Sequence, residues 1–233
     1  MAPRTASRQE WYAERLDLLE KEKEFTRARD ALSAARRELP WVKVAKEYVF
    51  DAPEGPVSLR ELFAGRSQLV IYHFMFHPDW QAGCKSCSFW SESFDAVTPH
   101  LAQRDVSLAV VSRAPLDKLL AFKKRMGWHF CWVSSAGTDF NFDYRVSFRE
   151  DDPNRGDYNF GTIEFGGPEA PGISVFALGE DGAIYHTYSA YARGLDMLNP
   201  TYQILDIAPR GRDEAALSYP MEWVRLHDEY PAA

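Results

Sequence analysis

The stretch that most limits the possible folds is the run SQLVIYHFMF at residues 67–76, which is almost continuously apolar and rich in strand-forming residues. Such a run is typical of a strand that is covered on both faces of a sheet, because a half-exposed strand alternates apolar and polar residues. A second run of this kind, DVSLAVVSRA, occupies residues 105–114. Two doubly covered strands predict an α/β fold with a central sheet.

The segments around these strands predict the order of the remaining elements. One helical face, with spacings of four, three and four residues, lies between the two strands at Trp90, Phe94, Val97 and Leu101. A second helix begins at Pro115 and ends at Gly127. The short strand HFCWVSS follows, and later a hairpin turns at Asp181-Gly182. This order predicts a mixed sheet, parallel in its first part and antiparallel in its last, with helices on both faces.

Two of the three cysteines, Cys84 and Cys87, lie just past the first central strand, at the start of the helix that follows it. Functional sites of open α/β sheets usually lie at this edge. A thiol at a helix N-terminus faces unpaired N–H groups and the positive end of the helix dipole, and Lys85 adds a positive charge, so we expect a low pKa for Cys84. Cys87 lies one turn further and is more shielded. The pattern predicts a redox dithiol in which Cys84 attacks and Cys87 resolves the mixed disulfide.

Two other kinds of function fit the same residues. Cys84 and Cys87, with His77 and Cys131, could supply the ligands of a metal-binding module, although zinc usually takes four ligands and the chain has no second paired-cysteine motif. The chain could also be an interaction protein without turnover. Cys131, within HFCWV, is most simply a buried small hydrophobic residue.

The residues around the cysteines have a structural interpretation beside the functional one. His77 is placed to hold a proton or a ligand near Cys84, or to cap the loop that it begins. Trp80 and Asp79 either shape the approach to Cys84 or form a turn. His73 lies inside the apolar run, which favours a hydrogen-bonded core histidine.

From about residue 135 to 172 the regular pattern is lost, and the segment is rich in Gly, Asp, Asn and aromatic residues. An irregular segment of this length is typical of a lid, a binding loop or a disordered insertion. Three of its residues, Asp139, Asn141 and Asp143, have the spacing of a cation loop, but the aromatic residues between them argue against a calcium site. His186, among tyrosines and near Arg193, either binds an anionic group or packs under this segment.

Residues 5–39 are predicted to form one long helix. Apolar residues recur every seven positions on a charged background, at Trp11, Leu18, Phe25, Leu32 and Leu39. We expect an N-terminal arm over 1–40 that docks on its own domain at 41–233. The alternative is a homo-oligomer in which the arm lies on a partner subunit.

Composition and charge exclude several classes of partner. The net charge is −7 and the pI about 5.4, so the chain has no basic excess with which to bind nucleic acid. Neither a signal-like apolar segment near the N-terminus nor an apolar run of membrane-spanning length occurs in the sequence. We expect a cytoplasmic protein without a membrane partner, and the sequence predicts no cofactor and no metal site beyond the alternative above.

Several segments together resemble one bacterial family: LVIYHFMFHPDWQAGCKSCSFW, AVVSRAPLDKLLAFKKRMGWHFCWVSS, DFNFDY, YHTYSAYARGLDMLNPTYQILDIAPRGR and MEWVRLHDEY. The family consists of thioredoxin-like proteins of unassigned function that are described as predicted dithiol–disulfide oxidoreductases. The resemblance implies a thioredoxin-like three-layer sandwich, with Cys84 and Cys87 at the active-site position. It also implies that the partner is a protein or small-molecule disulfide or thiol.

The sequence departs from ordinary thioredoxins around the cysteines. Thioredoxins have Trp-Cys-Gly-Pro-Cys, whereas here Gly83 precedes the pair and Lys85-Ser86 separates it. Thioredoxins also place a cis-proline opposite the dithiol, for which Pro171 is the candidate and Ile173 the alternative. The Pro-x-x-x-Thr-x-x-Cys motif of peroxiredoxins is absent, with Gln81 at the threonine position.

Overall fold

The computed structural model describes residues 4–152 and 156–231. The chain divides into two compact units, Met1–Pro40 and Trp41–Ala233. The first unit consists mainly of the helix α1, Arg8–Arg37, and none of its side chains is buried. A capping box begins it: the Glu10 N–H donates to Ser7 Oγ at 3.2 Å, and the Ser7 N–H donates to Glu10 Oε2 at 2.8 Å. Docking of this helix on its own domain or on a partner subunit stays a prediction.

The second unit is built around a curled, mixed sheet. Among the described residues it has eight strands in the order β1-β10-β9-β4-β5-β6-β2-β3, and a separate two-stranded hairpin forms from β7 and β8. The strands are β1 Val42–Lys43, β2 Val49–Ala52, β3 Gly55–Ser58, β4 Gln68–His73, β5 Val106–Ser112, β6 Cys131–Ser134, β7 Asp157–Tyr158, β8 Ile163–Glu164, β9 Gly172–Leu178 and β10 Ile184–Tyr191.

The predicted change of strand direction is present at the centre of this sheet. Strand β4 pairs in parallel with β5, and β5 pairs in parallel with β6. On its other side β4 pairs antiparallel with β9, which continues into β10 through the predicted turn at Asp181-Gly182. Gly182 has a φ of +73°, which favours glycine. The mixed α/β fold with a long N-terminal helix is therefore confirmed.

In the part of the chain that the structure describes, five further α-helices accompany the sheet: α2 Lys85–Ser91, α3 Phe94–Ala102, α4 Leu116–Arg125, α5 Phe140–Asp143 and α6 Pro200–Ile207. The prediction of one continuous helix after the cysteines is wrong, because the chain leaves helical structure at Glu92 and Ser93. The Ser93 hydroxyl donates to the Trp90 carbonyl at 3.3 Å and so uses an acceptor near this break. As a consequence Phe94 is buried while Val97 is exposed.

The strands separate two apolar layers. On one face Tyr72, Val110 and Trp132 pack with side chains of α2, α3, α4 and α6, including Trp90 and Phe122. On the opposite face the strands pack against short elements, namely α5 and a 3-10 turn over residues 61–63. Adjacent residues of β4 alternate between the layers, as expected for a strand that is covered on both sides.

The described residues of the segment from 135 to 172 include regular elements that its sequence does not predict. They form α5 and the β7–β8 hairpin, and an isolated antiparallel bridge joins Ser147 and Glu169 within the segment. After β10, a 3-10 helix over 192–198 is followed by α6. Within the described ranges, no helix has the length and apolar character needed to span a membrane.

Candidate functional site

Cys84 is the N-cap residue of α2, at the end of the loop that follows β4. Its N–H donates to the Met75 carbonyl at 3.1 Å, and its own carbonyl accepts the Ser88 N–H at 2.9 Å. Gly83 is required by packing, because a Cβ atom there would lie 2.7 Å from a ring carbon of Phe74. These contacts hold the first thiol at the carboxyl edge of the parallel strands, the edge expected from the sequence.

The two thiols of the pair are free and differ in environment. Cys84 is partly exposed, and hydrogen bonding from the Cys87 thiol is the main cause that lowers its pKa to about 6. Hydrogen bonds from Cys87 and Ser86 backbone groups act in the same direction, and burial opposes them. Cys87 is 1% exposed, and burial raises its pKa well above the ordinary value. The site therefore combines one ionised, accessible thiol with one protonated, shielded thiol.

Two groups from β4 and the loop after it hold the Cys87 sulfur. The Met75 N–H donates to Cys87 Sγ at 3.4 Å, and the buried Tyr72 hydroxyl donates toward the same sulfur. Both interactions favour the ionised form of Cys87 and so partly offset the effect of burial on its pKa. These two hydrogen bonds stabilise the Cys87 thiolate when it forms, while the sulfur stays shielded from solvent.

The expected effect of the Lys85 charge on Cys84 stays a prediction, while the contacts of its side chain lie elsewhere. Its Nζ donates to the Glu222 carbonyl at 2.9 Å and lies 5.8 Å from the centre of the Tyr219 ring. The largest cause that lowers the pKa of Cys84 is the hydrogen bond from the Cys87 thiol. Lys85 therefore connects the start of α2 to the C-terminal segment of the chain.

His77 and Trp80 shape the loop before the dithiol. The Asp79 N–H donates to His77 Nδ1 at 3.2 Å, and the centres of the His77 and Trp80 rings are 6.1 Å apart. Burial, together with the charge of Arg113, lowers the pKa of His77. Lys118 Nζ donates to the Trp80 carbonyl at 3.2 Å, which connects this loop to α4. The sequence suggested two roles for His77, either holding a proton or ligand near Cys84 or capping the loop. The hydrogen bond from the Asp79 N–H corresponds to the loop-capping role.

Pro171 lies directly before β9 and lines the same pocket as Cys87, and it is not a cis-proline, because the peptide bonds of residues 4–152 and 156–231 are all trans. Its carbonyl accepts the Tyr158 hydroxyl. Ile173, the alternative candidate, is buried and pairs with Tyr72 across the two strands.

A pocket of about 340 Å³ adjoins the dithiol, and Cys87, Ser86 and Pro171 form part of its wall. The remaining wall is mostly apolar and comes from distant parts of the sequence, chiefly Tyr158, Ile163, Phe165, Tyr202, Pro220 and Met221. No pattern in the sequence links these residues to the dithiol. Their only signal in the sequence is the density of aromatic residues in the irregular segment and near the C-terminus.

The residues of the metal alternative are not brought together. In the described part of the chain, no group of three or more His, Cys, Asp or Glu side chains is arranged to hold a metal ion. The expectation that Cys131 is buried is wrong: it is exposed at the start of β6, because its side chain lies at the amino end of that short strand rather than under a helix.

The remaining polar candidates have structural partners. His73 is buried and its Nε2 lies 2.9 Å from Ser174 Oγ, which confirms a core histidine. Lys46 Nζ bonds both aspartates of the supposed cation loop, Asp139 at 2.9 Å and Asp143 at 2.7 Å. The same loop's Asn141 is buried, and its side-chain oxygen accepts the Ser135 hydroxyl at 2.8 Å.

The cluster expected around His186 is only partly formed. Its Nε2 lies 2.8 Å from Ser189 Oγ, and its ring packs against Tyr144 at a centroid distance of 5.3 Å. Arg193 is highly exposed and lies 3.8 Å from Asp196. His186 therefore packs within the fold, while Arg193 faces solvent.

Residues 1–230 match the family described as "Bacterial protein of unknown function (DUF899)". The chain belongs to this family. Membership confirms the resemblance to a bacterial family of unassigned function, and it covers both the N-terminal helix and the unit that carries the dithiol. A search of curated proteins found no match.

Solved structures similar to the chain include peroxidoxin BcpB from Mycobacterium tuberculosis, with a TM-score of 0.48 and 15% identity over 71% of this chain and 97% of that one. Peroxiredoxin Q from Xanthomonas campestris gives a TM-score of 0.49 and 13% identity over 70% and 93% of the two chains. A hypothetical protein from Sinorhizobium meliloti gives 0.39 and 13% over 64% and 70%. Similarities at this level do not assign an activity.

Proposed function

We propose that the protein is a thiol–disulfide oxidoreductase in which Cys84 is the nucleophile and Cys87 the resolving thiol. The observation that carries the proposal is the pair of contacting thiols at the start of α2, of which one is partly exposed and the other is buried. Cys84 is partly exposed with a pKa of about 6, whereas Cys87 is buried with a raised pKa. At neutral pH this pair presents a thiolate to the substrate and keeps the second thiol protonated until it is needed.

The reaction proceeds in two exchanges. The Cys84 thiolate attacks one sulfur of a substrate disulfide, the S–S bond breaks, and the other substrate sulfur leaves as a thiolate. Cys87 then loses its proton and attacks Cys84 Sγ, which releases the second substrate thiolate and forms the Cys84–Cys87 disulfide. Two electrons pass from the dithiol to the substrate, and the Cys87 proton and one proton from water convert the two leaving thiolates to thiols.

The other two hypotheses receive less support. A metal module built on Cys84, Cys87 and His77 would need these side chains to converge, and no such group of three occurs in the described ranges. An interaction protein without turnover does not require the split of the two thiol pKa values. The cytoplasmic location and the disulfide or thiol partner expected from the sequence belong to the proposed function.

The first test measures the pKa of Cys84 from the pH dependence of its alkylation by iodoacetamide. A Cys131→Ser background removes the remaining cysteine of the chain, which is exposed and would also react. We expect a half-maximal rate near pH 6, with a tenfold loss per pH unit below it, because only the thiolate reacts.

Two variants sharpen this measurement. Cys87→Ala removes the main donor to Cys84, and we expect the midpoint to rise by at least about one pH unit. Lys85→Ala, one position from Cys84, should move the midpoint less than Cys87→Ala does, because hydrogen bonding from Cys87 is the largest cause of the lowered pKa. A midpoint near that of a free thiol in the parent protein would remove the basis of the proposal.

The second test counts the products of oxidation. Reduced protein treated with an excess of a small disulfide should form the Cys84–Cys87 disulfide and release two thiols, and Cys87→Ser should stop at a mixed disulfide on Cys84 that mass spectrometry detects. Hydrogen peroxide serves as a second oxidant at the same concentration. A much faster reaction with peroxide than with any disulfide would move the assignment to a thiol peroxidase.

A further inference from the structure

The pocket beside the dithiol contacts the resolving thiol, Cys87. Cys87 and Ser86 lie in its wall, together with Tyr72 and Met75 from the strand edge behind them. The Cys87 thiol donates to the Cys84 sulfur, so a group attached to Cys84 as a mixed disulfide begins beside Cys87, which lines the pocket. The volume of about 340 Å³ lies at the lower end of the range of small-molecule sites.

Three charged side chains at the pocket, Asp196, Arg212 and Glu214, already have partners within the protein. Arg212 binds both oxygens of Asp196 at 2.8 Å and stacks on the Tyr202 ring at 3.9 Å. Glu214 Oε1 accepts the Tyr202 hydroxyl at 2.7 Å and the Trp223 Nε1–H at 2.7 Å. Their hydrogen-bonding capacity is used within the protein, so they offer little to a charged ligand inside the pocket.

Among the described residues of the wall, the second cation is Arg193, which is 82% exposed and lies 3.8 Å from Asp196. A guanidinium group in this position stays hydrated at the mouth of the pocket. A carboxylate that entered the apolar interior would lose its hydration without gaining a partner there, which costs free energy.

The apolar wall is held in place before any ligand binds. Tyr158, at the start of the β7–β8 hairpin, is buried, and its hydroxyl accepts the Ala192 N–H at 2.7 Å while donating to the Pro171 carbonyl. The hairpin thereby fixes Ile163 and Phe165 on the side of the pocket that the irregular segment supplies. A preformed apolar pocket loses little entropy when it binds an apolar group.

We propose that this pocket holds the organic group of a small, uncharged, apolar disulfide, and that such low-molecular-weight disulfides are the substrate class of the protein. The inference rests on the proposed dithiol function and follows the same chemistry: R–S–S–R is reduced by two electrons to two thiols, and the Cys84–Cys87 pair is oxidised to its disulfide. Disulfides that carry carboxylates, and disulfides within folded proteins, are the competing classes.

The test compares three disulfides in a single turnover of the reduced protein: di-n-propyl disulfide, 3,3′-dithiodipropionic acid and insulin. Each rate of formation of the Cys84–Cys87 disulfide is divided by the rate at which free dithiothreitol reduces the same compound, which removes differences in intrinsic reactivity. We expect the normalised rate for the dipropyl compound to exceed that for the diacid by at least about tenfold, because a buried propyl group gains that much from leaving water.

A matched pair of variants ties this preference to the pocket. Ile163→Glu places a carboxylate on the pocket wall at a residue that is 38% exposed, and it should lower the ratio of the two rates by about tenfold or more. Ile204→Glu makes the same change on α6 at an exposed residue outside the wall, and it should leave the ratio as it is. Circular dichroism of both variants verifies that they are folded.

The outcomes separate the two proposals. Equal normalised rates for the apolar and charged compounds, a faster reaction with insulin, or an unchanged ratio in Ile163→Glu overturns the substrate class while leaving the dithiol function intact. Failure to form the Cys84–Cys87 disulfide with any of the three compounds overturns both.

Discussion

The two units of this protein treat the same kinds of side chain in opposite ways. In α1, Phe25 is 69% exposed, and the other apolar residues of the seven-residue repeat are exposed as well. In the second unit, Phe140 is fully buried among Tyr48, Phe50 and Phe176. Periodicity is sufficient to make a helix, but burial depends on which surfaces the rest of the chain brings to it.

Ion pairs differ between the units in the same way. Lys23 and Glu20 meet at 2.7 Å on the exposed surface of α1. Arg113 and Glu169 meet at 2.8 Å in the second unit, where the Glu169 side chain is almost fully buried and also accepts the Ser147 hydroxyl at 2.6 Å. Similar distances therefore have different energetic meaning, because solvent screens the first pair and not the second.

The largest expected effect comes from one substitution made in both units. Phe140→Ala should lower the free energy of unfolding by about 3 to 5 kcal/mol, since it leaves a cavity between Tyr48, Phe50 and Phe176. Phe25→Ala should change it by less than about 0.5 kcal/mol, because an exposed ring loses little contact. Urea denaturation measures both. A cost for Phe25→Ala close to that of Phe140→Ala would show that α1 is covered in solution.

The next effect concerns the two ion pairs. Arg113→Ala should cost about 3 kcal/mol at pH 8, because it leaves the carboxylate of Glu169 buried without its cation. Lys23→Ala, the matched change on the surface of α1, should cost at most about 0.5 kcal/mol. Both costs come from urea denaturation of the variants beside the parent protein.

The pH dependence of the Arg113→Ala cost provides an internal check. Burial raises the pKa of Glu169 from 4.5 to about 7, so the folded protein keeps a proton that the unfolded chain releases above pH 4.5. This group's contribution to stability therefore falls as the pH rises from 4.5 to 7. At pH 5 the folded carboxyl is already neutral, and the cost of Arg113→Ala should be smaller than at pH 8. An equal cost at both values would contradict the assigned protonation state.

The smallest effect is local to α1. Ser7→Ala removes the acceptor of the Glu10 N–H and should speed hydrogen exchange at that amide by about fivefold. Ser33→Ala, in the interior of the same helix, should leave the exchange at Glu10 as it is. No change in the first variant would mean that the capping box does not hold the helix start in solution.

Much of the fold was predictable because it depends on local pattern. The apolar runs marked β4 and β5, Pro115 marked the start of α4, and Asp181-Gly182 marked the hairpin turn. The break between α2 and α3 was not predictable, because Trp90 and Phe94 keep a helical spacing across it.

The candidate site likewise has features that local pattern predicts and features that it does not. The sequence placed the paired cysteines at a strand end and a helix start, where the structure has them. It mispredicted the burial of Cys131 and gave no sign of the contact between Lys85 and the Glu222 carbonyl, since both depend on neighbours that local pattern does not encode. The wall of the pocket was missed because Tyr158 and Met221 are more than 60 residues apart in the sequence.

The sequence by itself determined the element types, the mixed sheet and the position of the dithiol, because these follow from backbone propensity and from the alternation of apolar residues along the chain. Only the tertiary structure decided how Cys84 and Cys87 differ, where Lys85 reaches and what lines the pocket. Those properties arise from tertiary hydrogen bonds, such as the one from the Met75 N–H to Cys87 Sγ and the one from the Ala192 N–H to the Tyr158 hydroxyl. The free energy of burial and of hydrogen bonding depends on distance in space and not on separation along the chain.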